Sequence, residues 1–153
     1  LVHARLPRWE EALAAFYHRF HDDPLVVDKW FTLQATAPGD ETLGHVRQLM
    51  EHPAFNLKNP NRMRALISAF AHANPACFHE ETGAGYRFVA DRVIELDAFN
   101  PQVAARLTGA LIRWRRYDEQ RRQLMRAQLE RIQQRDGLSR DVAEIVGKAL
   151  DQR

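Results

Sequence analysis

The sequence predicts an all-α fold, because apolar residues recur at helical spacing and no segment shows the sustained alternation of a β-strand. Three helix starts also share one design: Asp23-Pro24, Asn59-Pro60 and Asn100-Pro101 each precede an apolar-periodic stretch. Asp or Asn can accept a hydrogen bond from a free first-turn N–H, and proline at the first helical position has its φ angle already set. Each dipeptide is therefore expected to begin a helix.

The prolines of these three starts are 36 and 41 residues apart, and each is followed four or five positions later by a basic residue. Such spacings are near the period of helix-pair repeats of the HEAT and armadillo type, whose units stack face to face. We expect a right-handed α-solenoid of about eight helices. A length of 153 residues suffices for one domain with a sizeable core, so residues 1–153 are predicted to form a single domain.

In the N-terminal half, the apolar residues of each predicted helix are spaced so that they share one face. Pro24 begins the second helix, Asp40 is expected to cap the third, and the fourth runs from Pro60 to about Ala73. The inward-facing residues are predicted to be Trp9, Leu13, Phe16 and Phe20, then Val26, Trp30 and Leu33, then Leu43, Val46, Leu49 and Met50, and finally Met63, Leu66, Ile67 and Phe70.

In the C-terminal half, residues 74–85 hold Asn74-Pro75, Gly83 and Gly85, which favour a short helix and a loop. Four longer helices are expected after it, the last two beginning after Tyr117-Asp118 and at the capping residue Ser139. Their apolar faces are Val89, Val93 and Leu96, then Val103, Leu107 and Leu111, then Met125, Leu129 and Ile132, and last Val142, Ile145, Val146 and Ala149.

Composition argues against several function classes. The net charge of +2 is too small to imply nucleic-acid binding. Residues 113–135 do hold eight arginines against three carboxylates, which suggests a solvated helix face more than a phosphate-tracking patch. The single cysteine, Cys77, excludes an internal disulfide and fits a cytoplasmic location. No apolar run is long enough for a membrane span. The chain opens at Leu1, and we expect it to be a piece of a longer protein.

Motifs that suggest catalysis are incomplete. His79-Glu80 begins like the zinc-peptidase signature His-Glu-x-x-His, but position 83 is glycine. His18 and His21 are spaced to share a side of a helix, yet no second cluster completes a metal site, so solvent contact at a helix end is the favoured interpretation. Gly83-x-Gly85 is too short for a phosphate loop. We expect neither a catalytic centre nor a bound metal in this chain.

Long strings nevertheless resemble one family. They are FYHRFHDDPLVVDKWFTLQAT at 16–36, NPNRMRALISAFAHANPACFH at 59–79, NPQVAARL at 100–107 and IRWRRYD at 112–118. In order and with little insertion, they resemble the extreme C-terminal domain of bacterial aminopeptidase N, and the likeness covers nearly the whole chain.

The resemblance implies a multidomain zinc metallo-aminopeptidase that removes N-terminal residues from peptides. Its zinc ligands belong to a catalytic domain that is absent here. The C-terminal helical domain closes over that domain, so this chain would form the lid and wall of the active-site cavity. Its partners would be the other domains of the same polypeptide and, through the parent enzyme, peptides. Cutting a lid from its body would also expose apolar surface, so the isolated chain is expected to self-associate.

The family's cavity-lining residues fall at Arg64, Gln102 and Arg106 of this sequence. We expect these residues in the first turns of the fourth and sixth helices, where free N–H groups and the helix dipole favour anions. The two arginines would converge on one electropositive surface. A different function class stays open: a stand-alone helical-repeat module that binds a protein partner on its concave face.

Overall fold

The computed structural model describes residues 7–151, and within this range all regular secondary structure is helical. The all-α prediction is confirmed. The α-helices are α1 Pro7–Phe20, α2 Pro24–Ala35, α3 Thr42–Leu49, α4 Pro60–Met63, α5 Ala69–Ala73, α6 Pro75–Phe78, α7 Ala84–Asp97, α8 Pro101–Thr108, α9 Glu119–Gln133 and α10 Arg140–Asp151. A π-helical segment, Arg64–Ser68, joins α4 to α5, and two short 3₁₀ turns, Gly109–Leu111 and Trp114–Arg116, follow α8.

The three Asx-Pro starts are confirmed. Asp23 accepts hydrogen bonds from the backbone N–H groups of Leu25 and Val26, and Asn59 accepts two in the same way at the start of α4. Asn100 accepts one, from the N–H of Val103 at 3.3 Å. Each cap pairs first-turn donors that the helix itself leaves free, which contributes about 1 kcal/mol per helix.

The chain divides into two compact units, Leu1–Cys77 and Phe78–Arg153. In the described part of the first unit, α2 packs against α1, α3 and the π-helical segment. Three side chains join these helices to backbone carbonyls: Trp30 Nε1 donates to Leu13 O at 2.9 Å, Thr32 Oγ1 donates to Ala65 O at 2.7 Å, and Asn74 Nδ2 donates to Ala35 O at 2.9 Å. Buried polar groups of this unit thus find partners on neighbouring helices.

In the second unit, α7 packs on α8 and α9, and α10 packs on α8 and α9. The C-terminal end of α10 is capped by side chains from the 3₁₀ turn: Trp114 Nε1 donates to Ala149 O at 3.1 Å and Arg115 donates to the carbonyls of Ala149 and Leu150. These bonds satisfy carbonyls that a helix end leaves unpaired. The predicted buried residues of this half, from Val89 to Ala149, are buried except Ile145, which is half-buried.

Three expectations for the N-terminal half are wrong. Leu33 is 42% exposed and Phe16 is 41% exposed, although both were expected inside. In α2 the buried residues are Val27, Trp30, Phe31, Gln34 and Ala35, and this set also fits a helical period. The N-cap of α3 is Glu41, not Asp40, and its side chain forms no capping hydrogen bond.

The short helix expected between residues 74 and 85 is confirmed as α6. Between residues 7 and 151 the longer helices therefore number eight when α4, the π-helical segment and α5 are taken as one. The solenoid form, its right-handedness and the single domain over 1–153 stay predictions. Within the described range, no helix combines the length and apolar character needed to cross a membrane.

Candidate functional site

Gln102 and Arg106 lie on the exposed side of α8 and line one groove in the second unit. The groove has a volume of about 560 Å³, and α10 forms its other wall. Its remaining lining residues are Ala105, Asp141, Glu144, Ile145 and Lys148. The structure thus brings two of the three expected site residues together.

Helical geometry explains why these side chains face the groove. In α8, Val103, Ala104 and Leu107 are buried, so positions 102 and 106, one turn apart, remain on the outer side. In α10, Val142, Val146 and Ala149 are buried in the same way. Asp141, Glu144 and Lys148 therefore project from the opposite face, at spacings of three and four residues.

The guanidinium of Arg106 has no partner among the residues that the structure describes. It forms no hydrogen bond or ion pair with any residue between 7 and 151, and the same holds for the Gln102 amide. Lys148 lies 3.7 Å from Glu144, and both side chains are mostly exposed. The groove therefore offers an unpaired planar donor fork that can hold a carboxylate through two parallel hydrogen bonds. Asp141 and Glu144 add negative charge, so the groove suits a dipolar ligand better than a simple anion.

The expected location of Arg106 in a first helical turn is wrong. Arg106 is the sixth residue of α8 and lies in its last turn, because α8 ends at Thr108 and tightens into a 3₁₀ turn. A cation in that position is itself stabilised by the helix dipole. Anion binding by Arg106 must therefore depend on its guanidinium and not on the free N–H groups at the start of α8.

Arg64 has a different environment. It begins the π-helical segment after the single turn of α4, so its expected location in a first turn is also wrong. It is exposed, and its Nη2 donates to Asn61 Oδ1. π-Helical turns occur often at functional sites, since they displace a side chain from its α-helical position. Arg64 belongs to the first unit and Arg106 to the second. The expected convergence of the two arginines stays a prediction.

A second groove lies in the first unit, where α1 faces α2 and α3, and histidines form part of its lining. It has a volume of about 720 Å³, and its lining includes His18, His21, His45 and His52. His21 Nδ1 donates to His18 O at 2.8 Å. Across the described range, no group of three or more His, Cys, Asp or Glu residues could hold a metal ion.

His79, from the incomplete zinc-peptidase motif, has structural contacts. Its Nδ1 shares a hydrogen bond of 2.7 Å with the Tyr86 hydroxyl, its ring stacks on Tyr117 at 4.3 Å, and its carbonyl accepts from Arg121 Nε at 2.6 Å. Burial, and next the charge of Arg121, lowers the pKa of His79. Burial also raises the pKa of Tyr86 to about 12. These groups anchor the loop before α7.

The arginine-rich stretch 113–135 has many partners within the second unit. Three arginines pair with a carboxylate three or four residues away, on α9 or at its N-cap, and another joins α9 to Asp91 on α7. The arginines with such contacts are Arg115, Arg121, Arg122, Arg126 and Arg131. This agrees with a solvated helix face more than with a surface of free cations.

Sequence reasoning missed Asp141, Glu144 and Lys148 as groove residues. A signal was present, since the three are three and four positions apart on the polar face of a strongly amphipathic helix. Nothing in the sequence, however, says that this polar face lies beside Arg106, because α8 and α10 are separated by more than 30 residues.

Comparison with known proteins begins with a family described as "Domain of unknown function (DUF3458_C) ARM repeats", whose profile matches residues 1–151. The chain belongs to this ARM-repeat family. The match supports the repeat type expected from the spacing of the Asx-Pro starts.

Three similar sequences are each named aminopeptidase N. The chain is 51% identical over 145 residues to aminopeptidase N of Caulobacter vibrioides, which covers 95% of this chain and 17% of that protein. It is 50% identical over 138 residues to aminopeptidase N of Haemophilus influenzae, covering 90% and 16%, and 46% identical over 149 residues to that of Escherichia coli, covering 97% and 17%.

A solved aminopeptidase structure is also similar to this chain. Legionella pneumophila aminopeptidase A in complex with aspartic acid superposes with a TM-score of 0.90 at 39% identity, over 94% of this chain and 17% of that chain. The resemblance to the C-terminal region of aminopeptidase N is confirmed. The chain spans about one sixth of the length of these relatives.

Proposed function

We propose that this chain is the C-terminal, non-catalytic domain of a zinc-dependent aminopeptidase N that removes N-terminal residues from peptides. The observation that carries this function is the 46–51% identity to aminopeptidase N over at least 90% of the chain. In the parent enzyme, the domain forms the lid and wall of the active-site cavity and helps to control the access and binding of peptides. Residues 1–153 act there as one domain.

The groove on α8 supplies the peptide contact in this proposal. Arg106 offers a free guanidinium and Gln102 a free amide, a combination that can bind the terminal carboxylate and a backbone carbonyl of a peptide. Arg64 would contribute from the first unit once its hydrogen bond to Asn61 is exchanged for one to substrate. None of these side chains would take part in breaking the peptide bond.

Zinc belongs to another part of the parent polypeptide in this proposal. The described residues do not fit a zinc site, since they contain no cluster of three ligands. The partners of this chain are then the catalytic and other domains of the same polypeptide. A cytoplasmic location is proposed from the single free thiol, Cys77.

The test compares two proteins, the full-length gene product and the isolated 153-residue chain. The full-length protein should contain His-Glu-x-x-His before this region, bind one zinc ion and hydrolyse an alanyl anilide. The isolated chain should neither bind zinc nor hydrolyse the anilide. A reading frame without that motif, or an inactive full-length protein loaded with zinc, would favour a stand-alone interaction module instead. One equivalent of zinc retained by the isolated chain after dialysis would contradict the assignment of zinc to another domain.

A further inference from the structure

The groove between α8 and α10, called the α8–α10 groove below, holds charges of both signs. Its lining residues are Gln102, Ala105, Arg106, Asp141, Glu144, Ile145 and Lys148. Glu144 and Lys148 lie one turn apart on α10, and 3.7 Å separates the carboxylate from the ammonium group. Arg106 and Asp141 form no ion pair with any residue between 7 and 151. Since Glu144 and Lys148 balance each other, the described residues leave one guanidinium and one carboxylate of the groove unmatched.

The Asp141 carboxylate is not required to begin α10. This helix starts at Arg140, and Ser139 Oγ accepts a hydrogen bond from the N–H of Val142 at 3.2 Å, so the first turn already has a cap. Asp141 is exposed and lies three residues before Glu144, on the same face of the helix. A carboxylate that neither caps its helix nor pairs with a cation of the described chain is available to a ligand.

The α8–α10 groove also has an apolar part. Ala105 and Ile145 are half-buried and line it together with the charged residues. Its volume of about 560 Å³ is in the range of small-ligand sites, which is roughly 300–1,000 Å³. Lysine and arginine side chains can lay their aliphatic stems along apolar surface while their charged ends bind elsewhere. A ligand that fits this lining carries a carboxylate, an aliphatic stem and a cation.

We propose that Asp141 makes the α8–α10 groove selective for peptides that end in lysine or arginine. Arg106 binds the C-terminal carboxylate, and Asp141 binds the cationic end of the last side chain. This rests on the proposed function, which brings peptides to the groove. Glu144 contributes less, because Lys148 already balances its charge. A peptide that ends in an acidic residue places a second carboxylate near Asp141, and like charges at an interface disfavour binding.

The test measures kcat/KM of the full-length enzyme for Ala-Ala-Lys, Ala-Ala-Met and Ala-Ala-Glu. These peptides share their N-terminal residues and differ in the charge of the last side chain. The lysine peptide should exceed the methionine peptide by about two- to fivefold, which corresponds to one exposed ion pair, and the glutamate peptide should be the poorest substrate. High salt should bring the lysine-to-methionine ratio toward one, because it screens exposed charges.

Two substitutions locate the preference. Asp141→Asn should bring the lysine-to-methionine ratio close to one, and Asp141→Lys should make the glutamate peptide a better substrate than the lysine peptide. Asp136→Asn is the matched control. Asp136 is an exposed carboxylate in the turn before α10 and does not line the groove, so its removal should preserve the order and the ratios of the unmutated enzyme.

An equal loss on all three peptides in Asp141→Asn would overturn the inference, because it would assign Asp141 a structural role at the positive end of the α10 dipole. A ratio near one in an unmutated enzyme that hydrolyses all three peptides would reject the selectivity and leave the proposed function intact. If Asp141→Lys does not fold, Asp141→Asn and the salt dependence of the unmutated enzyme decide. A full-length protein that hydrolyses no peptide would overturn the proposed function and this inference together.

Discussion

Arg62 on α4 donates a hydrogen bond from Nε to Asp28 Oδ1 on α2 at 2.6 Å, and the two side chains are only 11% and 21% exposed. The same guanidinium donates to the carbonyl of Ala54 and lies over the Phe31 ring at 5.5 Å from its centroid. One cation thus joins three segments of the first unit. Among the residues that the structure describes, Asp28 is the one carboxylate paired with this guanidinium, so its removal would leave the charge of Arg62 unbalanced.

Asp28→Ala should therefore lower the free energy of unfolding by about 3 kcal/mol, because it leaves the largely buried charge of Arg62 unpaired. Urea denaturation measures this loss. The matched control is Glu144→Gln, which removes an ion pair of 3.7 Å between mostly exposed side chains and should cost less than about 0.5 kcal/mol. Equal costs for the two substitutions would show that burial does not strengthen the Arg62–Asp28 pair.

Gly85→Ala should destabilise the second unit by about 1–3 kcal/mol, since a Cβ at this position would lie 2.4 Å from the Phe78 carbonyl oxygen. Gly147→Ala is the control, because a Cβ there meets no atom within 4 Å. It lies inside α10 and should stabilise the protein by about 0.5–1 kcal/mol. Thermal or urea unfolding of both variants checks the opposite signs, and a stabilising Gly85→Ala would contradict the close approach of α6 to α7.

Stability should fall as the pH drops below about 6.5. Burial, and next a nearby arginine, holds the pKa of His52 and of His79 below the ordinary value of 6.5. The unfolded state therefore takes up protons first as the pH falls, and the free energy of unfolding decreases until the folded histidines protonate as well. Above pH 6.5 this contribution is fully present. Urea midpoints at pH 7.5 and 5.5 measure the difference.

The control for this pH dependence is His52→Asn/His79→Asn. Asparagine keeps an acceptor near the position of Nδ1, which in His52 accepts from the N–H of Ala54 at 3.0 Å. The double variant should show a smaller difference between the two pH values. An unchanged difference would assign the pH dependence to other groups.

Arg106→Ala in the full-length enzyme should raise the KM for short peptides that carry a free carboxylate, by the equivalent of about 1–3 kcal/mol of charge-assisted hydrogen bonding. Single-residue anilides, which are too short to reach α8, should be affected much less. Arg140→Ala is the control, since Arg140 is exposed on α10 but does not line the groove. Equal losses on both substrates would indicate a structural role for Arg106, and no loss would leave it as a solvent-facing residue.

The isolated chain should self-associate as its concentration increases, because Phe16 on α1 and Leu33 on α2 are partly exposed on one apolar groove between these helices. Light scattering or sedimentation velocity measures the mass. Phe16→Ser/Leu33→Ser should shift the chain toward monomer, and Leu25→Ser should shift it less. A strictly monomeric unmutated chain at high concentration would contradict this expectation.

Local sequence determined where several of the described helices begin. The caps at Asp23, Asn59, Asn100 and Asp118 each bond to an N–H two or three residues further along the chain, so the residues that decide them are neighbours in sequence. The apolar face of α9 was also predictable, because this helix is strongly polar outside its stripe of Met125, Leu129 and Ile132. Where apolar residues surround the helix, as in α2, several faces satisfy the same period, and Leu33 was placed wrongly.

Tertiary structure decided which polar groups are free and which are bound. Arg64 and Arg106 occupy corresponding places after an Asx-Pro start, yet the first bonds to Asn61 at a π-helical turn and the second lies in a groove formed with α10 and has no partner between residues 7 and 151. That difference depends on residues more than 30 positions away, such as Thr32 bonded to Ala65 and Lys148 opposite Arg106. Sequence alone specified an all-helical chain with the spacing of HEAT- or armadillo-type helix pairs and with arginines at these sites, because capping and periodicity are local. Only packing between distant helices could set their surroundings, because side-chain burial and pairing depend on which helix faces meet.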